Sequence, residues 1–316
     1  MEIGFIGLGN VGGKLSGSLI RNGHRVAVHD LNPELVAAKV AQGARDGGDP
    51  AALMASCDVV TTCLPSPAAS EAVLAQMLPE VGPGKTWLEM STTDAEAVAR
   101  QGGEVIAAGG RAVDCPVSGG CHRADTGNIS IFAGADRETF DHVLPLLTTM
   151  GRRVLHTGPL GSASVLKVLT NYLATANLVT CCEALVVAKA AGMDLSTAYE
   201  AMAISSGTSF VHETESQVIL NGSRDISFTM DLVLKDIGLF QDVADRAGVP
   251  LEVSPKLIDI FRDGIDRYGP RELSPNIIRR LEDATGLDIR APGFPAEMVD
   301  DEPEAPGAEV IPRGRA

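Results

Sequence analysis

The chain has 316 residues, of which 45% are hydrophobic and 21% are charged, and its formal net charge is −15. This length gives room for two ordinary domains, and the composition is that of a globular protein with a sizeable core. Nucleic-acid binding needs a basic face that displaces counterions from phosphates, and the sequence has no run rich in Lys or Arg. The acidic balance therefore excludes nucleic acid as the expected partner and is typical of a surface that keeps a protein in solution.

Three features of the sequence predict a cytoplasmic protein. We expect no secretory signal, because the first apolar stretch, Ile3–Ile6, runs straight into a glycine-rich turn. The six Cys residues show no CxxC spacing, which predicts reduced thiols and no metal site. Because no uncharged run of 18 or more apolar residues is present, we also expect no membrane span.

Residues 1–160 alternate short β-branched runs with longer stretches of helical periodicity. The helix-like stretches include Val11–Asn22 and Pro33–Gln42, and the second of these begins well, with Asn32 as N-cap and Pro33 in the first turn. Strand–helix alternation predicts a parallel sheet with helices on both faces. The predicted strands are Ile3–Ile6, Arg25–His29, Val59–Leu64, Thr86–Met90, Arg111–Asp114, Ser130–Ala133 and Arg153–His156.

The first predicted strand leads into a GxGxxG motif, Gly7-Leu8-Gly9-Asn10-Val11-Gly12, and a predicted helix follows it. In this context the first glycine makes the turn, the second lets the backbone approach a pyrophosphate, and the third packs the helix against the strand. The free N–H groups of the helix then face the phosphates. The motif predicts a dinucleotide site on a doubly wound Rossmann sheet.

Asp30 ends the second predicted strand, 18 residues after Gly12. A carboxylate at this point can accept hydrogen bonds from both ribose hydroxyls of NAD and would repel the 2′-phosphate of NADP. Leu31-Asn32 provides no Arg for such a phosphate, and Arg25 lies too far along the strand. We therefore predict NAD as the cofactor, although Asp30 could equally serve to cap the turn into the next helix.

The pattern changes at Gly161. Residues 162–191 contain neither Gly nor Pro and keep helical periodicity, which predicts one interdomain helix roughly 45 Å long. Helical periodicity continues to about Gly286, and from about Arg290 Pro and acidic residues dominate. We predict a NAD-binding domain over 1–161, an all-helical substrate and dimerisation domain over 162–289, and an extended tail over 290–316. The tail is as compatible with packing across a neighbouring subunit as with other roles.

Four blocks of residues follow one another in the chain: Gly4-Phe5-Ile6-Gly7-Leu8-Gly9, Asp114-Cys115-Pro116-Val117-Ser118-Gly119-Gly120, Gly161 through Lys167 to Asn171, and Lys235-Asp236. In this order they resemble the β-hydroxyacid dehydrogenase family, which includes 3-hydroxyisobutyrate dehydrogenase and tartronate semialdehyde reductase. The resemblance covers about residues 2–287 and implies a small acidic substrate. Val11 departs from the pattern, since the family usually has Met there.

The resemblance implies that Lys167 is the catalytic residue. When hydride leaves the hydroxyl carbon for the nicotinamide, a base must take the hydroxyl proton, and burial can lower the pKa of a Lys into a useful range. Taken alone, Lys167 could also be a Lys that reaches solvent from an apolar helix. Asn171 lies four residues on, so both project from one helix face, where Asn171 would hold the substrate hydroxyl.

The resemblance also implies the remaining contacts of the site. Ser118-Gly119-Gly120 offers a hydroxyl and open backbone N–H groups to the substrate carboxylate. Leu64, Pro65 and Thr92 would line the nicotinamide and its ribose, and Lys235 would reach the cofactor. His122 and Arg123 have no assigned role, and one of the two could recognise a second anionic group of the substrate or both could be ordinary surface residues.

The sequence leaves alternatives open. The same residues fit an NADH-dependent reductase of tartronate semialdehyde, succinic semialdehyde or sulfolactaldehyde, which works in the opposite direction. A cofactor-binding sensor or scaffold would be expected to have lost Lys167 or Asn171, and an interaction module would use the tail. The long apolar helix beside a small helical domain predicts a homodimer or homotetramer, because it leaves apolar surface to cover.

Overall fold

The computed structural model describes residues 1–314 and divides into two compact units. The N-terminal unit comprises Met1–Lys167 together with the C-terminal segment from Asp300, and the helical unit comprises Val168–Val299. The N-terminal unit is built on one sheet with strand order β10-β9-β8-β6-β5-β4-β1-β2-β3, to which β7 adds by pairing with β8. Its strands are β1 (Glu2–Ile6), β2 (Arg25–His29), β3 (Arg45–Asp46), β4 (Val59–Thr62), β5 (Thr86–Glu89), β6 (Arg111–Asp114), β7 (Val117–Ser118), β8 (Ile129–Gly134), β9 (Gly151–Gly158) and β10 (Ala308–Glu309).

Two hydrophobic clusters in the N-terminal unit show that both faces of the sheet are covered. Ile3 and Phe5 belong to one cluster, which includes residues of α1 and α7, and Ile6 belongs to the other, which includes residues of α3, α4 and α5. This is the period-2 alternation of a strand buried on both sides. The helices are α1 (Gly12–Arg21), α2 (Pro33–Ala41), α3 (Pro50–Ser56), α4 (Pro67–Met77), a 3₁₀ turn (Leu78–Glu80), α5 (Ala95–Ala107), α6 (Gly120–Asp125) and α7 (Arg137–Met150).

The doubly wound Rossmann sheet predicted from the sequence is confirmed, with one reversal of strand direction. Strands β3, β2, β1, β4, β5 and β6 are mutually parallel, whereas β8 runs antiparallel to both β6 and β7. The connection from β7 to β8 holds only the short helix α6, which is too short to return the chain to the opposite edge for a parallel strand. Strand β9 then pairs parallel to β8.

The helical unit contains no strand among residues 168–299, as the sequence predicts. Its first element is most of the long helix α8 (Ser162–Ala190), whose Leu178, Cys182 and Leu185 pack in the core of this unit. The remaining elements are α9 (Leu195–Ala203), α10 (Phe210–Asn221), α11 (Met230–Arg246), α12 (Val253–Tyr268), a 3₁₀ turn (Ser274–Ile278) and α13 (Arg279–Thr285).

Helix α8 is long and apolar enough to cross a bilayer by length and composition, with a mean hydropathy of 1.4 in its most apolar window. No membrane span is predicted from the sequence, because this helix carries Lys167 and other charged or amide side chains. One such helix is weak evidence for a membrane, since core helices of other proteins pass the same test.

The end of the chain returns to the N-terminal unit. We call residues 300–310 the C-terminal strap. Its strand β10 pairs parallel to β9, with Ala308 opposite Arg153 and Glu309 opposite Val154. Arg137 holds Glu309 through two hydrogen bonds of 2.7 and 2.9 Å. These contacts lie within one chain, so the strap is part of the N-terminal unit.

Candidate active site

The glycine-rich turn has a backbone geometry that only glycines permit. Gly7 has a φ of +92°, and a Cβ at Gly12 would lie 2.0 Å from the carbonyl oxygen of Gly7. A Cβ at Gly9, in contrast, would meet nothing within 4 Å. The turn is therefore closed on the protein side and open at Gly9, which is the arrangement that a pyrophosphate needs for a close approach to backbone N–H groups.

Asp30 follows β2 and faces the glycine-rich turn. Its Oδ2 accepts a hydrogen bond of 2.7 Å from the backbone N–H of Leu8, and its Oδ1 accepts one of 2.8 Å from the N–H of Asn32. Asp30 thus caps the turn into α2, and its carboxylate keeps further lone pairs for ribose hydroxyls. Arg25 lies at the far end of β2 in an ion pair with Glu2, which leaves no Arg beside Asp30 on that strand.

The chain after β4 is tied to the chain after β5. The backbone N–H of Leu64 donates to Ser91 Oγ at 2.7 Å, and the N–H of Ser91 donates to Glu89 Oε1 at 2.7 Å. Glu89 is fully buried, and this burial raises the pKa of its carboxyl group. The predicted cofactor residues Leu64, Pro65 and Thr92 therefore lie on two loops that share a hydrogen-bond network, which the sequence did not reveal.

In the Ser118-Gly119-Gly120 turn, Ser118 is the last residue of β7, and Gly119 and Gly120 lead into α6. Gly119 has a φ of +128° and Gly120 a φ of +86°, so both adopt backbone conformations that favour glycine. Ser118 is half-buried and Cys121 is buried. Burial lowers the pKa of His122, and Arg123 lowers it further. The turn thus presents the Ser118 hydroxyl and the backbones of Gly119 and Gly120. The imidazole of His122 and the guanidinium of Arg123 follow within three residues.

Lys167 is 8% exposed and lies in the second turn of α8. The start of this helix is held by Asp114, whose Oδ1 accepts from Ser164 Oγ at 2.7 Å and whose Oδ2 accepts from the Ser164 N–H at 2.8 Å. Burial raises the pKa of Asp114 to about 6, although the hydrogen bonds from Ser164 oppose this rise. Asp114 belongs to the second family-like block of the sequence without a predicted role, and the signal for it there is an acid at the end of an apolar strand.

In the helical unit, Asn171 and Lys235 share one carboxylate. Asn171 Nδ2 donates to Asp236 Oδ2 at 2.5 Å, and Lys235 Nζ lies 2.6 Å from Asp236 Oδ1. Asp236 is 2% exposed, so the Lys235 ammonium and the Asn171 amide are its compensation for burial. Nothing in the sequence indicates this link between Asn171 and Lys235, because α8 and α11 are far apart along the chain.

The N-terminal unit brings most of the predicted residues to one edge of its sheet. Gly7, Asp30, Leu64 and Thr92 each follow the carboxyl end of one of four neighbouring parallel strands, and Ser118 follows β6 after a short extension. Ligands of open α/β sheets bind at this edge. No cluster of three or more His, Cys, Asp or Glu residues that could hold a metal ion occurs in residues 1–314.

Comparisons with known proteins agree with this architecture. The family described as the NAD binding domain of 6-phosphogluconate dehydrogenase matches residues 2–158. The family described as the NAD-binding domain of NADP-dependent 3-hydroxyisobutyrate dehydrogenase matches residues 161–281. The 2-(hydroxymethyl)glutarate dehydrogenase of Eubacterium barkeri is 31% identical over 293 residues, which are 92% of this chain and 97% of that protein.

The chain belongs to the β-hydroxyacid dehydrogenase family. It is an NAD-dependent oxidoreductase that acts on hydroxy acids. The NAD-dependent L-serine dehydrogenase of Pseudomonas aeruginosa is also 31% identical, over 90% of this chain and 98% of that protein. A solved 3-hydroxyisobutyrate dehydrogenase from Salmonella typhimurium shares the fold of this dehydrogenase, with a TM-score of 0.81 at 24% identity over 89% of this chain and 99% of that one.

Proposed function

We propose that this dehydrogenase oxidises a 3-hydroxyisobutyrate-like acid with NAD and that Lys167 is its general acid/base. The observation that carries the proposal is the environment of Lys167. Its side chain is 8% exposed, and the helix that carries it is fixed at Ser164 by the buried Asp114. A Lys held in this way has little freedom to reach solvent, which argues against a surface role.

The substrate class follows from the chemistry that two relatives share. Serine and 2-(hydroxymethyl)glutarate, the acids in the names of those relatives, both carry a CH2OH group on the carbon that bears the carboxylate, as does 3-hydroxyisobutyrate. They differ only in the third substituent of that central carbon. We therefore propose a 3-hydroxypropionate core as the recognised unit.

Each part of this core has a proposed contact. The substrate carboxylate would accept hydrogen bonds from Ser118 and from the backbone N–H groups of Gly119 and Gly120. The hydroxyl would lie against Lys167 and Asn171, which project from the same face of α8. His122 and Arg123 remain the candidates for a second anionic group, as in the glutarate-type substrate.

NAD, when bound, supplies the hydride acceptor. The residues that would hold it are Gly7 through Gly12, Asp30, Leu64, Pro65, Thr92 and Lys235. As the C–H bond of the alcohol carbon breaks and the hydride leaves, the neutral amine of Lys167 takes the hydroxyl proton and the carbon–oxygen double bond of an aldehyde forms. In the reverse direction the Lys167 ammonium returns the proton to the carbonyl oxygen, so the same residues serve an NADH-dependent aldehyde-acid reductase.

The test compares Lys167→Ala with Lys189→Ala, an exposed Lys near the other end of the same helix. NADH formation is followed with NAD and 3-hydroxyisobutyrate, 2-(hydroxymethyl)glutarate and L-serine. We expect Lys167→Ala to lower kcat by roughly 10²–10⁴-fold with an unchanged Kd for NAD, and Lys189→Ala to match the wild type. Equal kcat values for Lys167→Ala and the wild type would contradict the assignment.

We also propose a role for each domain and a homo-oligomeric state. Residues 1–161 bind the cofactor, and residues 162–289 contribute to substrate binding and to a homodimer or homotetramer in the cytoplasm. The support for an oligomer is apolar surface in the helical unit, where Leu173 is 59% and Val187 is 66% exposed on α8. Light scattering that shows a monomer at micromolar concentration would contradict it.

A further inference from the structure

The C-terminal strap lies on α1 and α6. These helices follow the Gly7–Gly12 turn and the Ser118-Gly119-Gly120 turn, respectively. Glu304 of the strap accepts hydrogen bonds from Asn22 at 3.1 Å and from Arg21 at 3.4 Å, at the end of α1. Glu304 also covers Gly127, where an added Cβ would lie 3.1 Å from its Oε1. Both matching families end before the strap, at residue 158 and at residue 281.

Asp300 is the strap residue that holds the end of α6. Its Oδ2 accepts hydrogen bonds from Thr126 Oγ1 and, at 2.8 Å, from Asn128 Nδ2. Asn128 Nδ2 also donates to the carbonyl oxygen of Glu302 at 2.6 Å. Burial alone would raise the pKa of Asp300, but the hydrogen bonds from Thr126 and Asn128 and the charge of Arg123 together hold it below its ordinary value. Asp300 is therefore an anion that its surroundings stabilise.

This anchoring reaches the Ser118-Gly119-Gly120 turn through one short helix. Helix α6 spans only Gly120–Asp125, so Thr126 lies about one and a half turns from the glycines. A helix of this length has little stability of its own, because nucleation costs more than a few hydrogen bonds return. Its position therefore depends on what holds its ends.

Resting on the substrate contacts proposed above, we propose that Asp300 is a positioning residue for substrate binding, which fixes α6 and hence the Ser118-Gly119-Gly120 turn from behind. Asp300 also faces His122 and Arg123, and its negative charge acts on both side chains. A strap outside the two family matches thus sets the geometry and the charge of the turn.

The experiment uses the full chain with three variants. Asp300→Ala removes the acceptor, Thr126→Val removes one donor at nearly constant volume, and Glu309→Gln weakens the strap at its other end, where it binds Arg137. We expect the first two to raise KM for the hydroxy acid roughly tenfold, the factor that corresponds to about 1.4 kcal/mol, with kcat within about twofold. The double variant Asp300→Ala/Thr126→Val should have a KM close to that of either single variant, because both changes break the same contact.

Hydrogen–deuterium exchange of residues 117–126 provides a readout that needs no turnover. Faster exchange of this segment in Asp300→Ala and Thr126→Val, with the wild-type rate in Glu309→Gln, supports the proposal. Unchanged exchange and KM in Asp300→Ala would overturn it, and so would an equal effect of Glu309→Gln, which would indicate general loosening. A wild-type protein that turns over no hydroxy acid would refute the proposed function, and the exchange data would still decide the role of Asp300.

Discussion

The Gly7–Gly12 turn and the Ser118–Gly120 turn of the N-terminal unit are fixed by different kinds of contact. In the Gly7–Gly12 turn, the backbones of Gly7 and Gly12 lie so close together that there is no room for a Cβ at Gly12. In the Ser118–Gly120 turn, a Cβ at Gly119 would meet its nearest atom, Arg123 Cδ, at an ordinary 3.4 Å. The first turn is thus fixed by close backbone contact and by Asp30, which accepts a hydrogen bond from Leu8, whereas the second depends on α6 and its contact with Asp300. A turn fixed by close backbone contact suits a constant cofactor, and a turn that depends on side-chain contacts can be adapted to different acids.

Gly12→Ala should give the largest effect. Its Cβ must displace the backbone of Gly7, so we expect the free energy of unfolding to fall by about 4 kcal/mol and the Kd for NAD to rise roughly a hundredfold. Urea unfolding and titration calorimetry measure the two quantities. Gly9→Ala is the matched control, because its Cβ meets no protein atom. It should weaken NAD binding with unfolding unchanged, and equal destabilisation by both variants would break the comparison.

Asp114→Asn should give the next largest effect, visible in the pH dependence of stability. Burial raises the pKa of Asp114 from 3.8 to about 6, so the folded chain keeps a proton that the unfolded chain loses between these values. The free energy of unfolding of the wild type therefore falls as pH rises through this window, by about 3 kcal/mol in total. Asp114→Asn removes this fall.

Urea unfolding of both proteins at several pH values between about 4 and 7 tests this expectation. The stability of the wild type relative to Asp114→Asn should decrease steadily as pH rises through the window. Glu89, the neighbouring buried acid, is present in both proteins, and its charge contributes to the raised pKa of Asp114. A difference that stays constant with pH would mean that Asp114 keeps an ordinary pKa.

Gly119→Ala should give the smallest effect. The space is sufficient, but a φ of +128° strains any residue with a Cβ, at a cost of roughly 1–3 kcal/mol. We expect KM for the hydroxy acid to rise about tenfold with an unchanged Kd for NAD. Gly103→Ala, at an open position in α5, is the control and should stabilise the protein by about 0.5–1 kcal/mol. A change in NAD binding by Gly119→Ala would show that the two turns are coupled.

The same contrast explains what the sequence could reveal. The longer strands, α1, α2 and α8 follow from local periodicity, and their observed bounds differ from the predicted ones by only a few residues. Strands β3, β7 and β10 escaped prediction, since each has two residues and exists only through its pairing partner. The reversal at β8 was also missed, because strand direction depends on how the chain returns and not on composition.

For the candidate site, the residues named from the sequence were those in contiguous motifs or at helical spacing. The groups that support them could not be found in this way. Asp114 holds Ser164, Asp236 holds Asn171, and Asp300 holds Thr126, and the two residues of each pair are separated by 50 or more positions. Such long-range pairs leave no periodic signal in a single sequence.

The strap has a consequence for the solubility of the protein. Without β10, strand β9 would present its unpaired backbone groups along the edge of a large sheet, and such an edge invites strands from other molecules. The two residues of β10 satisfy part of that edge, and the ion pair between Glu309 and Arg137 places charge beside it. Proteolytic removal of β10 would therefore expose the unpaired edge of β9, to which strands of other molecules could add, and so promote aggregation.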